Sequence, residues 1–168
     1  VKFNSAGVRQ WATYYGGTES DYGYDLFIQG SGLYMAGSTQ STANIATAGV
    51  YQTNLIGYAD ALITKFDING NPIWATYYGY AGNDFARGIT VDANSNISIT
   101  GLTGSHTGGM GSPGAPQPTS PGPIFDGFAA QFNNSGTTRL WGTYIGSVYI
   151  DRGNSIAVDI NSNICVVG

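Results

Sequence analysis

Three aspartates recur at one spacing: Asp21, Asp84 and Asp151 each stand ten positions after a tryptophan, Trp11, Trp74 and Trp141. Lined up on one face, such carboxylates would hold a cation or a sugar. As two unlike acids about 5 to 10 Å apart, they would cleave a glycosidic bond. No such pair is singled out here, and side chains that recur with each unit serve the unit. Their expected role is to accept backbone N–H bonds in the loops. Asp92 and Asp159 recur too, opening Asp92-Ala93-Asn94-Ser95-Asn96 and Asp159-Ile160-Asn161-Ser162-Asn163; Asp67-Ile68-Asn69-Gly70-Asn71 is similar. These resemble calcium loops but lack the bidentate glutamate, and they suit hairpin turns better. Calcium is thus the one ion they would suit, and no cofactor is expected. His106, the single histidine, has no second His or Cys nearby, so it defines neither a zinc site nor a triad. No catalytic residue is assigned, and the chain is not expected to be an enzyme.

Other reactive types have plainer roles. Cys165, the only cysteine, sits in the apolar run Ile164-Cys165-Val166-Val167 and is expected to be a buried, inert thiol. Asn96-Ile97-Ser98 and Asn133-Asn134-Ser135 match the glycosylation pattern, which chance supplies readily in a chain rich in Asn and Ser. Tyr14, Tyr15, Tyr77, Tyr78 and Tyr149 would stack on sugars where exposed; packing between repeats, with bonded hydroxyls, is expected for most.

Composition narrows the function classes. Charged residues are 10% of the 168 and net charge is −4, with only six scattered basic side chains. Nothing is available to neutralise a row of phosphates, which argues against nucleic acid. No apolar run approaches the roughly 18 residues of a helical membrane span. No leader peptide is visible, which does not place the chain in the cytoplasm.

The elements that position these residues form a repeat. Trp74-Ala75-Thr76-Tyr77-Tyr78-Gly79 occurs earlier as Trp11 to Gly16 and later as Trp141-Gly142-Thr143-Tyr144-Ile145-Gly146, with steps of 63 and 67 positions. Before each tryptophan lies a hairpin whose turns are Asn4 to Gly7, Asp67 to Asn71 and Asn133 to Thr138. After each aspartate lies a second hairpin, as in Arg87–Asp92 followed by Ile97–Gly101, with Gln29 replacing the aspartate in the first copy. Polar segments 38–59 and 102–125 follow the second hairpins; the latter holds five of the six prolines. No helical periodicity occurs. Four short strands per period, in tandem, imply an all-β fold of β-propeller type built from four-stranded antiparallel blades. The expected division is a half blade at 1–16, blades at 17–79 and 80–146, and a half blade at 147–168. Three blades' worth cannot close a ring. A slice of a longer propeller is therefore expected ahead of copies joined end to end, and the partners are further blades of the same longer chain or other copies of it.

At Trp11 to Gly17, Arg87 to Thr103, Asp60 to Asp67 and Asp126 to Phe132 the chain resembles the SBBP family of β-propeller repeats. Gln29 and the Pro-rich loop depart from its pattern. The resemblance implies a bacterial secreted or cell-surface repeat protein without a defined catalytic site. The expected function is a non-catalytic extracellular scaffold, adhesion module or filament component. A carbohydrate-binding, lectin-like propeller is the alternative, and a propeller glycosidase or lyase ranks third. Binding to a surface glycan or protein would use the loops 38–59 and 102–125, with Tyr51, Gln52, His106 and Gln117 as candidates. Deleting 108–123 is expected to leave the fold intact.

Overall fold

The computed structural model describes residues 1–168, which form strands, turns and loops with no helix. Strands β3 (Asp21–Gln29), β4 (Gly32–Thr39), β5 (Asp60–Asp67) and β6 (Pro72–Tyr78) make one antiparallel sheet in chain order. Strands β7 (Asp84–Val91), β8 (Ile97–Thr103), β9 (Asp126–Phe132) and β10 (Arg139–Ile145) make a second. Two hairpins flank them: β1 (Lys2–Phe3) with β2 (Arg9–Trp11), and β11 (Ser155–Val158) with β12 (Ile164–Val167). Equivalent registers recur, Leu33 facing Phe66 as Ile97 faces Phe132.

Both faces of the second sheet are covered. Every residue of β8 and β9 is buried, although β8 alternates Ile with Ser and Thr. The apolar residues face one neighbour and the small hydroxyl residues the other, a pattern that one-sided burial would not give. The main core lies between the two four-stranded sheets. Tyr34, Ile63, Trp74 and Tyr78 from the first meet Ile89, Val91, Phe128 and Phe132 from the second. The Tyr78 ring stands edge-on to Phe128 and Phe132 at 5.6 and 5.2 Å, each such pair adding about 0.5–1.5 kcal/mol beyond its buried area. On the far side of the second sheet, β11 packs on β7 and β8.

The hairpin turns share one construction. The side-chain oxygen Oδ1 of Asn4, Asp67, Asp92, Asp159 and Asn133 accepts backbone N–H bonds from later turn residues, for example Asn94 and Asn96 at 2.8 Å onto Asp92. This is why Asn and Asp recur there: a short acceptor closes the turn on itself. The donors hold Asp67 and Asp159 below the usual carboxylate range, the side-chain amides of Asn71 and Asn163 being the largest influence on each. Gln29 opens a shorter turn that passes through Gly30 at φ 58°, and its amide instead donates to the Asp92 carbonyl of the next sheet at 2.9 Å.

The left-handed position of these turns is Gly7, Gly70 or Gly136 in three copies, but Ser95 and Ser162, both at φ 65°, in the other two. A side chain there carries a steric cost that glycine lacks. Ser95→Gly is expected to stabilise the protein by about 0.5–1 kcal/mol after glycine's extra unfolded-state entropy is deducted. A rise in the urea midpoint at unchanged slope is the measurement; a fall would mean that the serine side chain holds the turn.

Candidate functional site

The recurring aspartates stand where β3 and β7 begin, and just ahead of β11. Asp84 accepts the Ser105 hydroxyl at 2.8 Å, the Tyr80 N–H at 2.9 Å and a short bond from the Thr103 hydroxyl. Asp21 repeats this with Ser41 at 3.1 Å, the Gly17 N–H at 2.8 Å and Thr39. Asp151 accepts the Ser147 N–H at 2.6 Å. Each carboxylate thus ties the loop that enters a strand, and in two copies also ties the strand's partner. The hydroxyl partners, Thr39 with Ser41 and Thr103 with Ser105, had a signal in the sequence: a Thr-x-Ser repeated 18 and 19 positions after the aspartate.

Asp60 and Asp84 are both shut off from solvent. They flank Gly79, whose missing Cβ would lie 2.6 Å from an oxygen of each. Burial pushes the Asp84 carboxyl up to about 6, against the pull of its hydrogen bonds, and burial raises Asp60 as well. Raised, paired carboxylates suit acid–base work when substrate reaches them. Here the Asp60 oxygens face the N–H groups of Ile56 and Gly57 and the Gln52 amide at 2.7 Å, so the pair organises the loop between β4 and β5.

Three of the four binding candidates sit against the fold. Gln52 bonds Asp60 and receives the Gly79 N–H at 3.1 Å. Gln117 grips both backbone groups of Gly146 at 3.0 and 3.1 Å, doing in the second sheet what Gln52 does in the first. Tyr51 lies edge-on to Phe132 at 5.4 Å, under the Arg139 guanidinium. His106, the fourth, is half-buried, with Nδ1 2.9 Å from the Ser120 hydroxyl and 3.6 Å from Asp126. The hydroxyl bonds that carboxylate. A nucleophilic triad needs the imidazole between acid and hydroxyl; here the hydroxyl is the middle member. No three His, Cys, Asp or Glu side chains cluster as metal ligands would.

Two expectations are corrected. Cys165 is exposed, because β12 has no third strand beside it. The loop 102–125 is not an appendage: Met110 is fully buried in the core, Ser112 donates its N–H to the Gly142 carbonyl and Gln117 accepts that of Tyr144. It runs along the open edge of β10 and satisfies it. Segment 38–59 does the same for β6, through Thr47 on Ala75 and Gln52 on Tyr77. Both loops shield edges that would otherwise invite association, so removal of 108–123 is now expected to destabilise the sheet. Among the tyrosines, Tyr15, Tyr77 and Tyr78 donate their hydroxyls to the Ile45, Ser41 and Met110 carbonyls, whereas Tyr14 and Tyr149 are exposed.

The contact that recurs between sheets is a tryptophan laid on a glycine turn. Trp11 donates its indole N–H to the Ile68 carbonyl at 3.2 Å and covers Gly70; Trp74 donates to Asn134 at 3.1 Å and covers Gly136. A Cβ at either glycine would come within 2.8 Å of the indole. Residues 73–106, from the Trp74 strand through the Asp84 cradle, match the family model described as SBBP, beta-propeller repeat. No curated protein matches the chain.

Proposed function

We propose that this chain, with its SBBP beta-propeller repeat at 73–106, is a non-catalytic propeller segment acting as an extracellular or cell-surface scaffold or adhesion module. In this reading β3–β6 and β7–β10 are two blades, and β1–β2 and β11–β12 are halves of two more. Further blades come from the same longer chain or from other copies. The observation that carries it is the tryptophan–turn joint, repeated with its indole hydrogen bond between successive sheets. A joint that recurs in one form builds an array, and each sheet covers faces that its neighbour cannot cover alone. The recurring carboxylates and loop glutamines support the same view, since their polar atoms hold strands and loops together.

A glycan array with the intact chain, followed by titration of any positive sugar, tests this function. A scaffold gives no saturable signal. Saturable binding lost on Tyr149→Ala, an exposed position, would move the reading to a lectin-like propeller.

A further inference from the structure

The two flanking hairpins carry opposite halves of one joint. At one end the Gly7 turn, at φ 76°, has nothing within 4 Å of where a Cβ would stand, while the matching turns at Gly70 and Gly136 lie under indoles. At the other end Trp141 covers no turn and bonds only Gln131 of its own sheet. The faces differ in the same way. Ile89 and Val91 of β7 are 2% and 3% exposed beneath the first sheet; their counterparts on β3, Leu26 and Ile28, are 56% and 60% exposed. Beside Leu26 opens a cavity of ≈ 170 Å³, lined mainly by apolar groups including Val1, Trp11, Leu33 and Phe66.

We propose that a second copy of this chain fills that space with its β11–β12 hairpin, so that its β12 pairs with β1 and the strands β11, β12, β1 and β2 form one antiparallel sheet. This rests on the blade reading above. The register follows from the intact sheets, where Ile97 faces Phe132 and Ser98 faces Gln131. At the joint Ile164 faces Phe3 of the other copy, Cys165 faces Lys2 and Val166 faces Val1. The Asp159 N–H bonds the Asn163 carbonyl, and bonding alternates along an antiparallel pair. Ile164 and Val166 therefore aim their backbone groups at the free edge of β12, where they are available to β1. Cys165 and Lys2 fall at a non-hydrogen-bonded pair, whose side chains lie closest; in the intact sheet the equivalent Gln131 and Ser98 side chains touch at 3.1 Å. Trp141 of the second copy then lies on the Gly7 turn of the first, its indole N–H against the Ser5 carbonyl. The contact is head-to-tail, and reciprocal docking of two 168-residue chains brings six sheets together, within the range of about four to eight that propellers use.

Sedimentation equilibrium and oxidative cross-linking of the 168-residue chain test this. Expected are a mass that doubles with rising concentration and a folded, monomeric Ile28→Lys variant. Lys2→Cys should oxidise to a disulfide-linked dimer through Cys165, and Lys2→Cys with Cys165→Ser should not. A wild-type monomer at every concentration overturns the docking, as does a dimer that survives Ile28→Lys or fails to cross-link. The blade reading is judged separately on monomeric samples: if Trp74→Ala still costs far more stability than Trp141→Ala, the array stands and only the docking falls.

Discussion

Trp74→Ala will cost the protein about 3–5 kcal/mol, the range for truncating a large buried aromatic. Its indole is 7% exposed, belongs to the core between the sheets and satisfies the Asn134 carbonyl. Alanine leaves a cavity above Gly136 that the turn cannot fill, because the turn is pinned by the Asn133 side chain. Trp11→Ala should cost less, as its ring is only partly buried. Trp141→Ala should cost about 1–3 kcal/mol in dilute, monomeric samples, where the bond to Gln131 and the ring's partial burial are lost but no turn lies across it. One residue type in one repeat position thus gives three answers, ordered by what lies on the other side. Chemical denaturation at low protein concentration reads the series. Equal losses at Trp74 and Trp141 would mean that the indole stabilises its own strand rather than the joint.

What the sequence disclosed follows from how far each interaction reaches along the chain. The five hairpin turns were legible because acceptor and donors lie two to five residues apart, so an Asn or Asp before a Gly or Asn declares the turn. The tryptophans and Asp84 were legible by recurrence. Their partners were not: Asn134 lies 60 residues from Trp74, and the hydroxyls on Asp84 lie 19 and 21 residues away. The loops were the harder case. Residues 102–125 look like an irregular excursion because Gly and Pro break every periodicity, yet their backbone groups and Met110 complete β10 and the core. Edge protection needs backbone amides at the right height and no particular side chain, so composition does not reveal it. Gln52 and Gln117, expected on a binding surface, instead bond Asp60 with Gly79 and Gly146; two glutamines 65 positions apart in otherwise dissimilar loops were the available clue. Cys165 is exposed, contrary to its apolar run, because burial of a strand depends on its neighbour, and β12 has one on one side only.

Stability will fall as pH rises from about 4 to about 6, and Asp84 will account for most of the loss. Its folded value, about 6, stands above the ordinary carboxylate value of 3.8, with burial as the leading cause. Between those values the unfolded chain has released this proton while the folded chain still holds it, so raising the pH favours unfolding. The contribution is fully present below the unfolded value and gone above the folded one. At about 1.4 kcal/mol for each tenfold change in proton affinity, it amounts to about 3 kcal/mol. Asp60, also raised by burial, acts in the same direction. Asp67 and Asp159, held low by their turn donors, act oppositely: what they contribute is lost as pH falls through their folded values. A stability maximum on the acid side of neutrality results. Asp84→Asn isolates the cause, since the amide oxygen still accepts from the Tyr80 N–H and the Ser105 hydroxyl, with the NH2 turned to the Thr103 hydroxyl oxygen, while the titration is abolished. Relative to wild type, the variant should gain about 3 kcal/mol between pH 4 and pH 7. Urea unfolding at a series of pH values measures that difference, and wild-type and variant curves that stay parallel would show that the three hydrogen bonds keep the buried carboxylate ionised throughout.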